Sequence, residues 1–261
     1  MKHVLVRLAF LGFLFPSLAF VNPALAEETI VIAAEDDWPP YSSIKADRSG
    51  PEGFTPELVR AVFKLKGVDV RFLTVPFARC LHYAETGRTV GCFNATIVEG
   101  NRNTFHWHPT PMFSEELAIF ARSDQPGDHL TLKDLEGQTV SVTIGYTYPT
   151  ELMQNQAITR FAATSDAQQL RMLATGRVRF ALVNTMPGYL RIHAEPSLQG
   201  RIRQVGRVSV DGFWVAFSKA HPDGKRMAGI FEDGLQQLKA SGRYDEMLEA
   251  FRRRIGYQPG K

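Results

Sequence analysis

Short strand-like runs alternate with amphipathic helix-like runs along almost the whole chain, and this alternation limits the fold more than any other feature. Ile30 to Ala34 reads as an apolar strand. Thr55 caps a helix with Pro56 at its first position, where the missing N–H costs nothing, and Leu58, Val59, Val62, Phe63 and Leu65 form its apolar stripe. Val68, Val70 and Phe72 alternate as a strand, Pro76 opens a second helix stopped by Gly87, and Val90 to Ala95 is a third strand. The order then repeats: strand at Thr139 to Ile144, helix at Pro149 to Gln156, and a helix capped by Asp166 with Leu170 and Leu173 inside. Strand Phe180 to Val183, helix Pro187 to Glu195 and strands Arg203 to Val208 and Phe213 to Ser218 follow, then helices Arg226 to Ser241 and Tyr244 to Arg253. Strand–helix–strand order predicts an α/β fold with mainly parallel sheets flanked by helices.

The first 26 residues stand apart. Lys2 and Arg7 precede an apolar run from Leu8 to Val21, and Ala24-Leu25-Ala26 has the small-x-small form of a cleavage site. This is the anatomy of a secretory signal peptide cleaved after Ala26, which predicts a periplasmic protein. Removing Lys2 and Arg7 takes the formal charge from +3 to +1, so no field argument for nucleic acid remains. The 44% apolar and 11% aromatic content suffices for substantial cores. Cys80 and Cys92 are the two cysteines; in an exported chain they either pair or stay as two buried thiols. His106 and His108 have strand spacing usable by a metal, but no third ligand is evident. No cofactor fingerprint, phosphate loop or nucleophile elbow is present.

Four stretches, in order, carry a resemblance. Trp38-Pro39-Pro40-Tyr41 is followed by Gly53-Phe54-Thr55-Pro56-Glu57-Leu58. Pro76-Phe77-Ala78-Arg79 is followed by Thr86-Gly87. Arg102 precedes Phe105, Pro111 and Met112-Phe113. Leu132 to Gly145 is followed by Thr147. Together they resemble the family 3 extracellular solute-binding proteins, the polar amino-acid receptors of ABC transporters. The resemblance implies a type II two-lobe periplasmic-binding-protein-like clamp with two hinge crossings: lobe one at 27–117 plus 212–261, lobe two at 118–211. It further implies a monomer that binds a small polar solute, an amino acid or related small carboxylate, and delivers it to an inner-membrane ABC-transporter permease.

The family's motif positions translate into candidate ligand-binding residues. Arg102 stands where the family holds the ligand's α-carboxylate in a two-pronged pair. Thr147, past the Gly145 turn, stands where a lobe-two hydroxyl donates to the same group, and Tyr146 replaces a small residue beside it. Trp38 and Phe77 occupy positions of stacking aromatics; ordinary core packing is the alternative. Thr96 and Asn94 are the donors left at a strand exit where Ala95 and Ile97 replace the usual hydroxyls. Asn184 stands in place of the acid that takes the α-ammonium; either Glu35, Asp36 or Asp37 compensates, or the ligand lacks that group. Two further functions fit the scaffold. One is a periplasmic enzyme such as a dehydratase of a cyclic dienyl acid, for which Glu35, Glu99 and Glu151 are the candidate acids and bases. The other is a sensory module that presents its ligand to a membrane receptor.

Overall fold

A computed structural model describes residues 28–256; the expected signal peptide lies outside the described residues. In chain order the elements are β1 (Glu28–Glu35), β2 (Asp37–Trp38), β3 (Ser42–Ile44), β4 (Pro51–Glu52), α1 (Phe54–Lys64), β5 (Val68–Val75), α2 (Phe77–Glu85), β6 (Gly91–Ala95), β7 (Phe105–His106) and β8 (Phe113–Arg122). Then come β9 (Thr139–Thr143), α3 (Thr150–Gln154), β10 (Thr159–Ala163), α4 (Asp166–Ala174), β11 (Phe180–Asn184), α5 (Thr185–Ala194), β12 (Ile202–Ser218), α6 (Gly224–Ala240) and α7 (Arg243–Arg254).

Nine strands form one long curled sheet in the order β10-β9-β11-β8-β12-β6-β1-β5, with β7 paired to β12, and β2, β3 and β4 form a separate small sheet. Its two ends are parallel: β1 pairs with β5 and β6, and β9 with β10 and β11. Its centre is antiparallel, because β8 leaves one half for the other and β12 returns. The expectation of mainly parallel sheets therefore holds for the two ends and not for the centre. Phe213 faces Phe113, Asp211 faces Glu115 and Ser209 faces Leu117 across this central ladder. The two strands expected at Arg203 to Val208 and Phe213 to Ser218 are one continuous strand. Bulges near Gln204/Gly206 and Arg207/Ser209 break its alternation, which is why the sequence pattern reads as interrupted.

Each half buries its own core. In the first, Leu58, Val59, Val62 and Phe63 of α1 and Phe231, Leu235 and Leu238 of α6 close on β1, β6 and β12. In the second, Leu170, Leu173, Ala181, Val183 and Ile192 form one cluster, while Leu135, Val140, Leu152 and Leu182 form another on the opposite face. Within the first core, Trp38, Tyr41, Phe113 and Phe213 pack ring against ring, with Tyr41 and Phe113 centroids 4.3 Å apart.

Two predicted caps do different work. α1 begins two residues early behind Gly53, and the Thr55 hydroxyl donates instead to Asn94 Oδ1 at 2.8 Å. At α4 the cap is Ser165, whose Oγ accepts the Gln168 N–H at 3.2 Å, leaving Asp166 buried inside the first turn. His108 is a core residue: its Nε2 accepts the Val215 N–H at 3.0 Å, and burial lowers its pKa to about 4.

Cys80 on α2 and Cys92 on β6 are joined by a disulfide, with their Cα atoms 5.4 Å apart. It pins α2 to the strand edge beside Ala33, Phe77 and Ala216. A bridge closing so short a segment contributes about 3 kcal/mol on the chain-entropy account. Cys80→Ser with Cys92→Ser is expected to lower the melting temperature by several degrees, and reductant is expected to lower the wild type to the same value. Calorimetry with and without reductant checks both.

Candidate functional site

The clearest cavity lies where the two ends of the sheet face each other across β8 and β12. It is a tight cavity, with a volume of about 30 Å³ open to the centres of water-sized groups. The first half contributes Glu35, Trp38, Phe77, Asn94 and Thr96; the second contributes Tyr146, Thr147, Tyr148, Asp166 and Asn184; the central strands supply Leu117, Asp211 and Phe213. Six of the seven predicted ligand residues are thus brought together: Trp38, Glu35, Phe77, Thr96, Thr147 and Asn184.

Arg102 is not among them. Asn101 explains its position: its side chain accepts the Val98 N–H at 2.9 Å and donates to the Thr96 carbonyl at 2.8 Å. This closes the segment after β6 into a tight turn and leaves Arg102 exposed outside the cavity, its carbonyl accepting from Trp107 Nε1. Of the candidate acids and bases, Glu99 and Glu151 are also exposed and outside the lining, whereas Glu35 is inside it.

Glu35 ends β1 and is only 3% exposed. Asn94 Nδ2 donates to its Oε2 at 3.4 Å, and the Thr55 hydroxyl fixes the orientation of that amide from the other side. Asn94 has a left-handed φ of 63°, a conformation this residue tolerates better than most. Burial drives the Glu35 pKa up to about 8, against hydrogen bonds from Tyr146 and Asn94 that favour the charged form, with Asp166 and Asp36 adding repulsion. Asp166 is 2% exposed; Thr143 Oγ1 donates to it at 2.7 Å, and Gln169 bridges Thr143 and Ser141 behind it. Burial raises Asp166 to about 6, opposed by the Thr143 hydrogen bond and then by Arg191. Asp211 is raised too, chiefly by burial, although Ser209 donates to it at 2.6 Å.

Sequence reasoning missed Asp166 and Asp211. Asp166 passed for a cap because Asp is a common capping residue, but Ser165 directly before it was the better one. A charge at Asp211 between apolar segments was the other available signal. Asn184 is the N-cap of α5, and its amide donates to the Glu116 carbonyl at 3.3 Å.

The halves touch around the cavity. Arg191 of α5 donates to the Asp37 carboxylate at 2.7 Å, and the Tyr146 hydroxyl reaches the Asp37 carbonyl at 3.4 Å. Phe77 and Tyr146 meet edge to face at 5.5 Å. Gly145 has φ +80°, and a Cβ built there would lie 2.8 Å from Ala78 Cβ on α2. These contacts enclose the cavity.

The raised carboxyls set a stability slope. A group whose folded pKa lies above its unfolded value stabilises the fold below the unfolded pKa, and that contribution is lost as pH rises through the folded one. For Glu35 the window runs from 4.5 to about 8, and for Asp166 from 3.8 to about 6. The ligand-free protein should therefore melt progressively lower from pH 5 to pH 8. Glu35→Gln should flatten the upper part of that slope and raise the melting temperature at pH 8, the limit of the Glu35 window. A pH series of melts of both proteins checks this; an unchanged slope in the variant would remove Glu35 as its source.

Comparisons with known proteins agree with this architecture. A histidine kinase sensor domain with similarity to periplasmic binding proteins superimposes with a TM-score of 0.74 at 24% identity, covering 86% of this chain and 96% of that one. A mutant of ArgBP from T. maritima gives 0.72 at 20% identity, covering 85% and 94%. A Salmonella typhimurium periplasmic binding protein described as highly specific for arginine gives 0.69 at 19%, covering 85% and 98%. No curated protein matches. The model of the bacterial extracellular solute-binding proteins, family 3, matches residues 30–253, which is nearly all of the described chain. The chain belongs to that family.

Proposed function

We propose that this protein binds a small polar solute in the cavity between its halves, in the periplasm, and delivers it to an ABC-transporter permease. In this reading the halves are lobes, 27–117 plus 212–261 and 118–211, and β8 and β12 are the hinge crossings. The observation that carries the reading is the make-up of the cavity wall. Glu35, Phe77 and Asn94 come from one end of the sheet and Tyr146, Asp166 and Asn184 from the other, so only the closed molecule presents all of them to one ligand. The family and the similar structures are binding proteins, which supports capture rather than turnover as the task of the cavity. The titratable carboxyls of Glu35 and Asp166 are features an enzyme would also use.

Thermal unfolding of the mature chain against amino acids, amine-less carboxylates, polyamines and cyclic dienyl acids tests the reading. A true ligand at about 100 times its Kd adds about 2.7 kcal/mol, a shift of a few degrees for a chain of this size. Mass spectrometry of the released solute should recover it unchanged; a consumed solute would make the cavity an active site, and no shift with any class would sink the binding reading.

Closure itself is testable with two glycines. Gly145 and Gly137 both have positive φ, +80° and +74°, so alanine strains the backbone at each by a comparable amount. At Gly137 nothing lies within 4 Å of the added carbon, whereas at Gly145 it meets Ala78 of the other half. Gly145→Ala should weaken solute binding about tenfold or more, and Gly137→Ala should leave it unchanged, with similar losses of melting temperature. Equal affinities in the two variants would mean that this contact is not part of the bound state.

A further inference from the structure

We propose that the solute is an organic cation, an amine or guanidinium, which the cleft holds by its carboxyl groups and aromatic faces and which needs no carboxylate of its own. This rests on the binding reading above and narrows it to a ligand class.

Three carboxyl-bearing side chains, Glu35, Asp166 and Asp211, line the cavity, and among the described lining residues none is Lys, Arg or His. Glu35 and Asp166 are almost wholly buried, and their hydrogen-bond donors are amides and hydroxyls. Burial disfavours the charged form of both; Arg191 acts on Asp166 from outside the wall, but no basic residue acts on Glu35, so a cation entering the cavity supplies what the wall lacks there. Trp38, Phe77, Tyr146 and Phe213 add ring faces and edges of the kind that surround alkylated or planar cations.

The groups that would hold a carboxylate are engaged elsewhere. Arg102 is outside the cavity. Arg191 does not line it and is paired with Asp37 at 2.7 Å through one terminal nitrogen, while its buried Nε has no acceptor. At the start of α5 the Met186 N–H is already taken by the protein's own Glu115 carboxylate at 3.4 Å, and the Asn184 amide donates to Glu116. At α4 the first-turn Gln168 N–H is taken by Ser165. One buried donor in the wall does lack a protein acceptor, the indole Nε1 of Trp38. It points to a ligand atom with a lone pair. Neutral donors, this indole together with the Thr96 and Thr147 hydroxyls of the wall, suit a hydroxyl or carbonyl oxygen; with no cation in the wall they do not offset the desolvation of a carboxylate.

Charge balance gives the proposal a second readout. Glu35 faces Tyr146, Asn94, Asp166 and Asp36, with Arg79 acting on Asp36 from α2, and it is largely protonated at neutral pH. A bound cation favours its charged form, so binding should release protons and tighten as pH rises towards 8.

The test is isothermal titration of the mature chain with a matched series at low salt and pH near 7, in two buffers of different ionisation enthalpy. Agmatine, putrescine and choline carry a cation without a carboxylate; arginine carries both; 4-guanidinobutyrate has a guanidinium and carboxylate but no α-amine; glutarate has carboxylates alone. The expected result is that at least one carboxylate-free cation binds as tightly as arginine or tighter, with proton release, and that glutarate does not bind. Asp166→Asn is expected to weaken that cation about tenfold or more, with a melting temperature no lower than wild type. If arginine or glutarate binds and every carboxylate-free cation is about tenfold weaker or worse, the cation proposal is overturned while solute binding stands. Loss of such binding in Arg191→Ala would then place a guanidinium on the carboxylate. If no member of the series binds, the proposal also falls, and the wider thermal panel decides whether the cleft binds anything.

Discussion

The antiparallel pairing of β8 with β12 is the constraint on which the rest of the structure depends. It is the longest ladder in the sheet, running from Ile202 opposite Arg122 to Phe213 opposite Phe113. Both chain crossings between the halves lie in it, so the halves cannot move independently of its bend. The ladder also places chemistry: Asp211 and Glu115 are registered partners, yet Asp211 lines the cavity while Glu115 reaches the N-terminus of α5 and the Tyr41 hydroxyl. The two single-residue bulges in β12 advance it by two residues against β8, so that Asp211 and not Ser209 lies opposite Glu115.

Beside this ladder Trp38, Tyr41, Phe113 and Phe213 form an aromatic cluster inside the first core. The rings are buried, and two of the four come from the crossing strands themselves. Trp38 and Phe213 also belong to the cavity wall, so this cluster and the cavity share side chains, and repacking in one is felt in the other. The polar latch is peripheral by comparison: Asp37 is more than half exposed beside Arg191, and a pair so placed contributes little by itself.

Much of this was legible in the sequence. The strand–helix alternation identified the layered α/β class, and the turn at Trp38-Pro39-Pro40-Tyr41 and the Gly145 turn marked two walls of the cavity. The crossing strand β8 was not read, because its ten residues carry both an apolar run, Leu117 to Ala121, and two adjacent acids, Glu115 and Glu116, that break the strand period. The edge strand β10 was missed for a similar reason: four of its five residues are not buried, so it has no apolar face to betray it. Arg102 was read as a ligand residue from its place in a motif. Motif position does not encode the turn that Asn101 closes through two side-chain hydrogen bonds, and that turn decides where the arginine goes.

The electrostatics of the cavity explain why its acids were harder to find than its aromatics. Aromatic residues lower the free energy of the fold by burial whether or not a ligand is present, so sequence pattern and a place in the cavity wall coincide for Trp38 and Phe77. Glu35 and Asp166 do the opposite: their burial raises the free energy of the charged forms in the empty protein, and only hydrogen bonds from Asn94 and Thr143 and protonation moderate it. A folding criterion applied to sequence has no reason to place acids there. Their presence is a local conflict with stability of the kind that persists at binding sites. The second layer supports this interpretation, because Thr55 behind Asn94 and Gln169 behind Thr143 hold the donors in orientation without touching the cavity. Such supporting hydrogen bonds keep a carboxyl pre-positioned when it is neutral, so that losing its proton to form an ion pair requires little movement.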